Sequence, residues 1–206
     1  MKNVFALIAL VTTMTAGIAS AQVSFTPRVS HNNVAIKYDS TLHTLASGER
    51  VSTKGNVYQN SYKIDLELGY AFSSNLEGIF NIGYSPLYTN PDYRLDTGTA
   101  DIGVRWKLNN AYAQVSVGNM LIKAAGDDVE NEKYNLYTVG LGLGYRIPLS
   151  SRISLDPFYR GTINLGQSNT TTTVAESTNG VTEANWETKL VGVESHQIGL
   201  GVTFDF

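Results

Sequence analysis

Seven separate segments of this chain alternate apolar and polar residues with a period of two, and no other pattern in the sequence is as persistent. Successive side chains of a β-strand point to opposite faces, so each segment reads as a strand with one apolar and one polar side. Tyr62, Ile64, Leu66, Leu68, Tyr70 and Phe72 alternate with Lys63, Asp65, Glu67, Gly69 and Ala71. Leu76, Gly78, Phe80, Ile82 and Tyr84 oppose Glu77, Asn81, Gly83 and Ser85, with Ile79 interrupting the polar side. Ala100, Ile102, Val104, Trp106 and Leu108 oppose Asp101, Gly103, Arg105 and Lys107. Ala113, Val115 and Val117 oppose Tyr112, Gln114, Ser116 and Gly118, and Tyr137 to Ile147 continues the rule against Thr138, three glycines and Arg146. Ile153, Leu155, Pro157, Tyr159, Ile163 and Leu165 oppose Ser154, Asp156, Arg160, Thr162 and Asn164. The chain ends on Ile198, Leu200, Val202, Phe204 and Phe206 against Gln197, Gly199, Gly201, Thr203 and Asp205.

An eighth strand precedes these. Val23, Phe25 and Val29 follow one parity, whereas Val34, Ile36 and Tyr38 follow the other. One inserted residue flips a strand's faces, so a bulge near His31-Asn32-Asn33 is expected within one long irregular strand over residues 23–43. Residues 1–21 carry Lys2, an apolar stretch over 4–11 and the small residues Ala19-Ser20-Ala21. That is the pattern of an export signal cut before Gln22, leaving residues 22–206 as one domain. The formal net charge is −3, and loss of Lys2 makes it one unit more negative. No basic cluster invites a nucleic acid. Cysteine is absent, so an exported fold must hold without disulfides. Beyond the leader no apolar run reaches the length of a spanning helix, so a membrane could be crossed only by strands.

The connections alternate in length. Polar stretches over residues 46–56, 86–96, 123–133 and 167–188 follow the odd strands, and tight links at 73–75, 109–110 and 149–152 follow the even ones. Long loops at one end and short turns at the other are the habit of a transmembrane up-and-down barrel. Three features turn the apolar side outward. The polar side carries Lys63, Asp65, Glu67, Glu77, Asp101, Arg105, Lys107, Arg146, Asp156, Arg160 and Asp205, six acids and five bases. A closed interior requires such near-balance because unpaired buried charges are costly. Aromatics gather at the strand ends of the apolar side: Tyr70, Phe72, Trp106, Tyr145, Phe204 and Phe206 at the tight-turn end, Tyr62, Tyr84 and Tyr137 at the other. Two girdles match a bilayer with two interfaces.

The third feature is the terminal run Ile198, Leu200, Val202, Phe204, Phe206. It resembles the C-terminal signature of bacterial outer-membrane β-barrels. With the leader and the eight strands, the chain is similar to the small barrels of the outer-membrane protein A, protein X and opacity type. The resemblance implies an all-β, eight-stranded antiparallel transmembrane barrel in the outer membrane. It also implies Phe206 as a signal for the β-barrel assembly machinery, and outer-membrane lipid and lipopolysaccharide as neighbours. Eight strands leave a bore that side chains fill, which argues against an open channel.

No catalytic, cofactor or metal site is expected. Gly140-Leu-Gly-Leu-Gly144 has the wrong spacing for a nucleotide loop and no helix after it. His31, His43 and His196 are too scattered for a metal. Glu194, Ser195 and His196 are consecutive, and neighbouring residues on a strand face opposite ways, which prevents a Ser–His pair. Asp92, Asp96, Asp127 and Asp128 in the long connections are expected to be solvated, as is the Thr170–Thr173 stretch, with Trp186 anchoring its return. Loops on a rigid scaffold often carry binding. The expected role is therefore a surface-exposed structural or interaction protein that meets host or surface ligands through its loops. A small pore and a lipid-modifying enzyme are the alternatives.

Overall fold

The computed structural model describes residues 22–44, 50–90, 93–126, 129–166, 171–178 and 181–206; the leader lies outside them. The strands are β1 (Val23–Thr44), β2 (Arg50–Ala71), β3 (Leu76–Asn90), β4 (Tyr93–Leu108), β5 (Ala111–Gly126) and β6 (Val129–Tyr145), followed by β7 (Ile147–Pro148), β8 (Ile153–Leu165), β9 (Thr171–Thr178) and β10 (Val181–Asp205). Every described pairing is antiparallel, in the order β8-β6-β5-β4-β3-β2-β1-β10, and a β8–β10 pairing closes the ring. The wall therefore has eight strands. β7 is a two-residue stub paired with β8, and β9 folds back onto the start of β10. Closure leaves no unpaired edge within the ring, the condition for a β-structure to sit in hydrocarbon.

At one end the hairpins are tight. Ser73 Oγ accepts from the amides of Asn75 and Leu76, and Ser150 Oγ does the same for Arg152 and Ile153. Between β4 and β5, Asn109 takes a positive φ of 56°, a conformation two-residue hairpins demand and asparagine tolerates. The chain ends are tied in here, with Phe206 N donating to Val23 O over 2.9 Å.

Two expectations need correction. β1 has no bulge at His31-Asn32-Asn33: its register with β2 runs unbroken from Val23↔Tyr70 to His43↔Arg50. The irregularity lies higher, against β10 between Lys37 and Tyr38. Val34 therefore stays on the inward parity and is 1% exposed, because the interior it meets there is apolar. Nor are the four polar stretches long loops. Strand pairing runs through most of each, to His43↔Arg50, Asn90↔Tyr93, Gly126↔Val129 and Thr178↔Val181. The backbone satisfies itself by continuing the ladders, and with water on the outer face these extensions lose the apolar–polar alternation that marks a strand.

Beyond the ring the wall divides. The β2–β3 ladder stops at Ile64↔Tyr84, and the β6–β8 ladder stops at Tyr137↔Leu165. Past those rungs stand two four-stranded sheets, β9-β10-β1-β2 and β3-β4-β5-β6. Their inner faces meet in one buried apolar cluster. Val34, Leu190 and Val193 come from the first sheet, and Leu95, Met120, Ile122 and Leu136 from the second.

Large apolar residues face outward around the ring, among them Leu141 at 65% exposed and Leu200 at 48%, while Arg105 and Asp156 are fully enclosed. This orientation is that of a transmembrane barrel and not of a soluble carrier.

Small residues inside make room for large ones. A Cβ on Gly144 would lie 2.2 Å from the Tyr112 ring, and one on Gly142 would lie 2.7 Å from Gln114. Gly144→Val is therefore expected to cost about 1–3 kcal/mol by overpacking, read as a lower urea midpoint in lipid vesicles. Gly98→Ala, where a Cβ meets nothing within 4 Å, should leave the midpoint unchanged.

Candidate functional site

The interior is stacked in three layers. Nearest the tight turns is a chain of alternating charges. Asp156 Oδ2 accepts from Arg28 Nη2 at 2.6 Å, and Arg28 also pairs with Glu67. Glu67 Oε1 lies 2.6 Å from Arg105 Nη2, and Arg105 Nη1 lies 3.1 Å from Glu77 Oε2. Glu77 further takes Lys107 at 3.3 Å and Arg146 at 3.2 Å. Neutral groups complete the layer. Tyr112 OH donates to Asp156 Oδ1 at 2.7 Å, Ser24 Oγ donates to Glu77 at 2.8 Å, and Arg105 donates to Gln114 Oε1 at 2.8 Å. Arg105 also lies over the Tyr112 ring at 4.3 Å, and Arg28 over Phe158 at 4.8 Å, in cation–π geometry. Apart from Arg146, which lies between β6 and β7, these residues come from β1, β2, β3, β4, β5 and β8, so the layer cross-links most of the wall through its centre.

The second layer is smaller. Lys63 pairs with Asp65 at 2.9 Å, and Arg160 reaches across to Asp101 at 3.0 Å. Asn81 Nδ2 donates to both acids, at 3.1 and 3.4 Å. Around these pairs several enclosed polar atoms have no protein partner, including Ser30 Oγ, Asn32 Oδ1, Asn81 Oδ1, Ser195 Oγ and Gln197 Oε1. Buried polar atoms without protein partners are the usual seats of internal water. The apolar cluster of the two sheets is the third layer.

Of the eleven charged residues read from the sequence, ten belong to the two ionic layers. Asp205 does not: it is half-buried at the tight-turn end and has no ion pair among those described. Arg28 is the residue missed. It is 3% exposed and bridges two acids, and with it the two ionic layers hold six bases against five acids. Its signal was available in the alternation of Val23, Phe25 and Val29 with Ser24, Thr26 and Arg28.

On the outer face Tyr62, Phe72, Trp106, Tyr137 and Phe206 are 72, 62, 50, 70 and 69% exposed. Tyr70, Tyr84 and Tyr145 are also exposed, and Phe204 is half-buried on the same parity. Tyr62 to Tyr70, Tyr137 to Tyr145 and His196 to Phe204 are each eight residues apart, roughly 20 Å of height for a strand tilted about 40°.

Ser195 is fully enclosed, whereas His196 points outward and shares a 2.7 Å hydrogen bond with Tyr159 OH; the two side chains are on opposite sides of the wall. His31 stacks edge-on with Tyr62 on the outer face. Asp96 accepts from Tyr84 OH at 3.0 Å. Asp92, Asp127, Asp128, Asn169 and Thr170, and the side chains of His43, Thr171 and Trp186, lie outside the described residues. Among the described residues no group of three or more His, Cys, Asp or Glu could hold a metal.

A closed eight-stranded antiparallel ring, apolar outside and ionic inside, is the fold of the small outer-membrane β-barrels. Solved structures agree at the level of fold. Neisserial surface protein A matches with a TM-score of 0.56 at 13% identity, over 91% of this chain and 99% of that one. The outer membrane protein OprG from Pseudomonas aeruginosa matches with a TM-score of 0.54 at 11% identity, over 88% and 95%. No family model matches the sequence, and no curated protein matches it.

Proposed function

We propose that this chain is a non-conducting, non-enzymatic outer-membrane barrel that presents its two extended sheets at the cell surface for recognition. One observation carries the reading. The bore is filled twice, by an ionic layer and by an apolar one, while the long hairpins stand well beyond the aromatic-flanked belt. A filled bore leaves the outward sheets and their tips as the surface free to vary and bind. In this reading residues 1–21 direct export and are removed before Gln22. Phe206 is the residue read by the assembly machinery. Tyr62, Tyr84 and Tyr137 mark the outer interface of the bilayer, and Tyr70, Phe72, Trp106, Tyr145 and Phe204 mark the inner one. The interior charge set of five acids and six bases serves to fill and fix the bore. Outer-membrane lipid and lipopolysaccharide surround the belt, and a host or surface ligand meets the hairpins. Cells displaying the chain with all four hairpins trimmed back to the belt are expected to lose any adherence that the full chain confers. Adherence retained by trimmed, correctly folded barrels would refute the reading.

A pore for ions or small solutes is the second reading, favoured by the unpartnered polar atoms of the middle layer. The two readings differ in planar bilayers. The filled-bore reading expects no reproducible channels from the intact chain. It also expects none after Met120→Ser, Leu136→Ser and Leu190→Ser together, because the ionic layer still blocks the path. Regular conductance steps from the intact chain would establish the pore instead.

A further inference from the structure

The seam between β2 and β3 leaves one strand bare. β2 pairs with β1 without a shift from Tyr70 out to Arg50, but its ladder with β3 stops at Ile64↔Tyr84. Just above that last rung a serine closes the seam. Ser85 Oγ, fully enclosed, lies 2.6 Å from Ser61 Oγ and donates to Tyr62 O at 3.1 Å. Beyond this clasp, among the described residues, no strand pairs with β2 on the side away from β1.

Which backbone groups are left open follows from the bonds at the other end of the strand. Consecutive residues of an antiparallel strand direct their N–H and C=O to opposite neighbours. Ala71 N donates to Gln22 O, which precedes β1, whereas Phe72 N donates to Leu76 O of β3, and Tyr62 O turns to Ser85. Odd-numbered residues of β2 therefore bond β1, and even-numbered ones turn toward β3. Above the clasp Ser52, Lys54, Asn56, Tyr58 and Asn60 present their N–H and C=O groups to no strand, over about 27 Å.

The other free edges are blunted. β3 turns its even-numbered residues to the same seam, and Pro86 has no N–H to offer there. β6 carries Glu130, Glu132 and Lys133 beyond its last rung with β8, and β9 is only eight residues long. Proline, charge and shortness are the usual guards of a sheet edge. Residues 55–61 of β2 have neither a charge nor a proline, and the unbroken register against β1 leaves no protective bulge.

We propose that the outer half of β2 is a β-addition site, where an extended segment of a partner protein pairs with Ser52 to Asn60 and continues the β9-β10-β1-β2 sheet. Evenly spaced donor and acceptor pairs match another extended polypeptide backbone, which sugars and acyl chains do not carry. On the outward face the exposed Tyr58 favours a β-branched or aromatic residue opposite it. The site rests on the surface-recognition reading above and gives the chemistry of its partner.

The test follows backbone amide exchange by NMR on the intact barrel in lipid nanodiscs, with a soluble peptide of alternating threonine and valine, ended by lysines, as the probe. Without peptide the amides of Ser52, Lys54, Asn56, Tyr58 and Asn60 are expected to exchange rapidly, while those of Thr53, Gly55, Val57 and Gln59, bonded to β1, exchange slowly. The peptide should slow the first set, and its fully N-methylated twin, which has no donor, should not. Asn56→Pro removes one open N–H and leaves the β1 ladder whole, so it should weaken peptide binding about three- to tenfold, the worth of one hydrogen bond. Asn56→Thr keeps the N–H and should bind as the intact chain does. Slow exchange of the even-numbered amides without peptide, no slowing with it, equal slowing by the N-methylated twin, or equal binding by the two Asn56 variants would overturn the site. In cell adherence, loss on trimming the hairpins but none in Asn56→Pro would overturn the site and keep the recognition reading. Adherence kept by trimmed, folded barrels would overturn both.

Discussion

Arg105→Ala is expected to destabilise the barrel by about 3–5 kcal/mol, because it leaves buried carboxylates short of one guanidinium. Arg105 is fully enclosed and serves Glu67 and Glu77 together. Each acid keeps another cation, Arg28 for Glu67 and Arg146 with Lys107 for Glu77, which places the loss toward the lower end of that range. The stacking on Tyr112 disappears as well. Lysine cannot serve two carboxylates with one planar fork, so Arg105→Lys should recover only part of the loss. The decisive variant is Arg105→Met combined with Glu67→Leu. It removes one charge of each sign and leaves Arg28 on Asp156, so stability should return toward that of the intact chain. Urea unfolding in phospholipid vesicles, followed through the two tryptophans, measures all three. If the double variant is as unstable as the sum of its single changes, the residues act by packing and not as a charge pair.

Leu141→Arg is expected to cost about 2–4 kcal/mol, the penalty for a cation on the lipid face near the bilayer midplane. Leu141 is 65% exposed and lies four residues from Tyr145 on one side and four from Tyr137 on the other, the middle of the belt on β6. Asn135→Arg is its control. It is on the same strand and the same outward parity, exposed and beyond Tyr137, and should change stability by less than about 0.5 kcal/mol. The contrast is specific to a bilayer. In water both positions would accept arginine with little cost, and an equal response of the two variants would place the outer wall in solvent.

The strand positions of the ring were legible because each strand there separates two fixed environments, lipid outside and charge inside, and a period-two pattern records that difference residue by residue. Lys63, Asp65 and Glu67 on β2, or Asp101 and Arg105 on β4, cannot exchange parity with their apolar neighbours without exposing charge to hydrocarbon. The same rule misled in β1. Toward the long-hairpin end the interior changes from ionic to apolar, so Val34 and Ile36 keep the inward parity while looking like outward residues. A change in what the interior contains then imitates a slip in the strand. Leu95, Met120, Ile122, Leu136 and Val193 escaped notice for the same reason: each is apolar on a parity that lower down is polar, and nothing local distinguishes the two cases. Leu190 shares the numbering parity of the outward Ile198 and Leu200 and turns inward only because the β1–β10 register shifts between Lys37 and Tyr38.

What the chain determines without its structure is the alternation, the excess of outward apolar residues, the near-neutral ionic set and the ordering of short and long connections. Those are properties of single strands meeting two solvents. Tertiary structure alone decides which acid meets which base, where the ladders β2–β3 and β6–β8 part, and that two sheets close an apolar layer above the charges. These depend on the stagger of eight strands around a closed ring, which sets the height of every side chain relative to residues more than a hundred positions away, as Arg28 and Asp156 are.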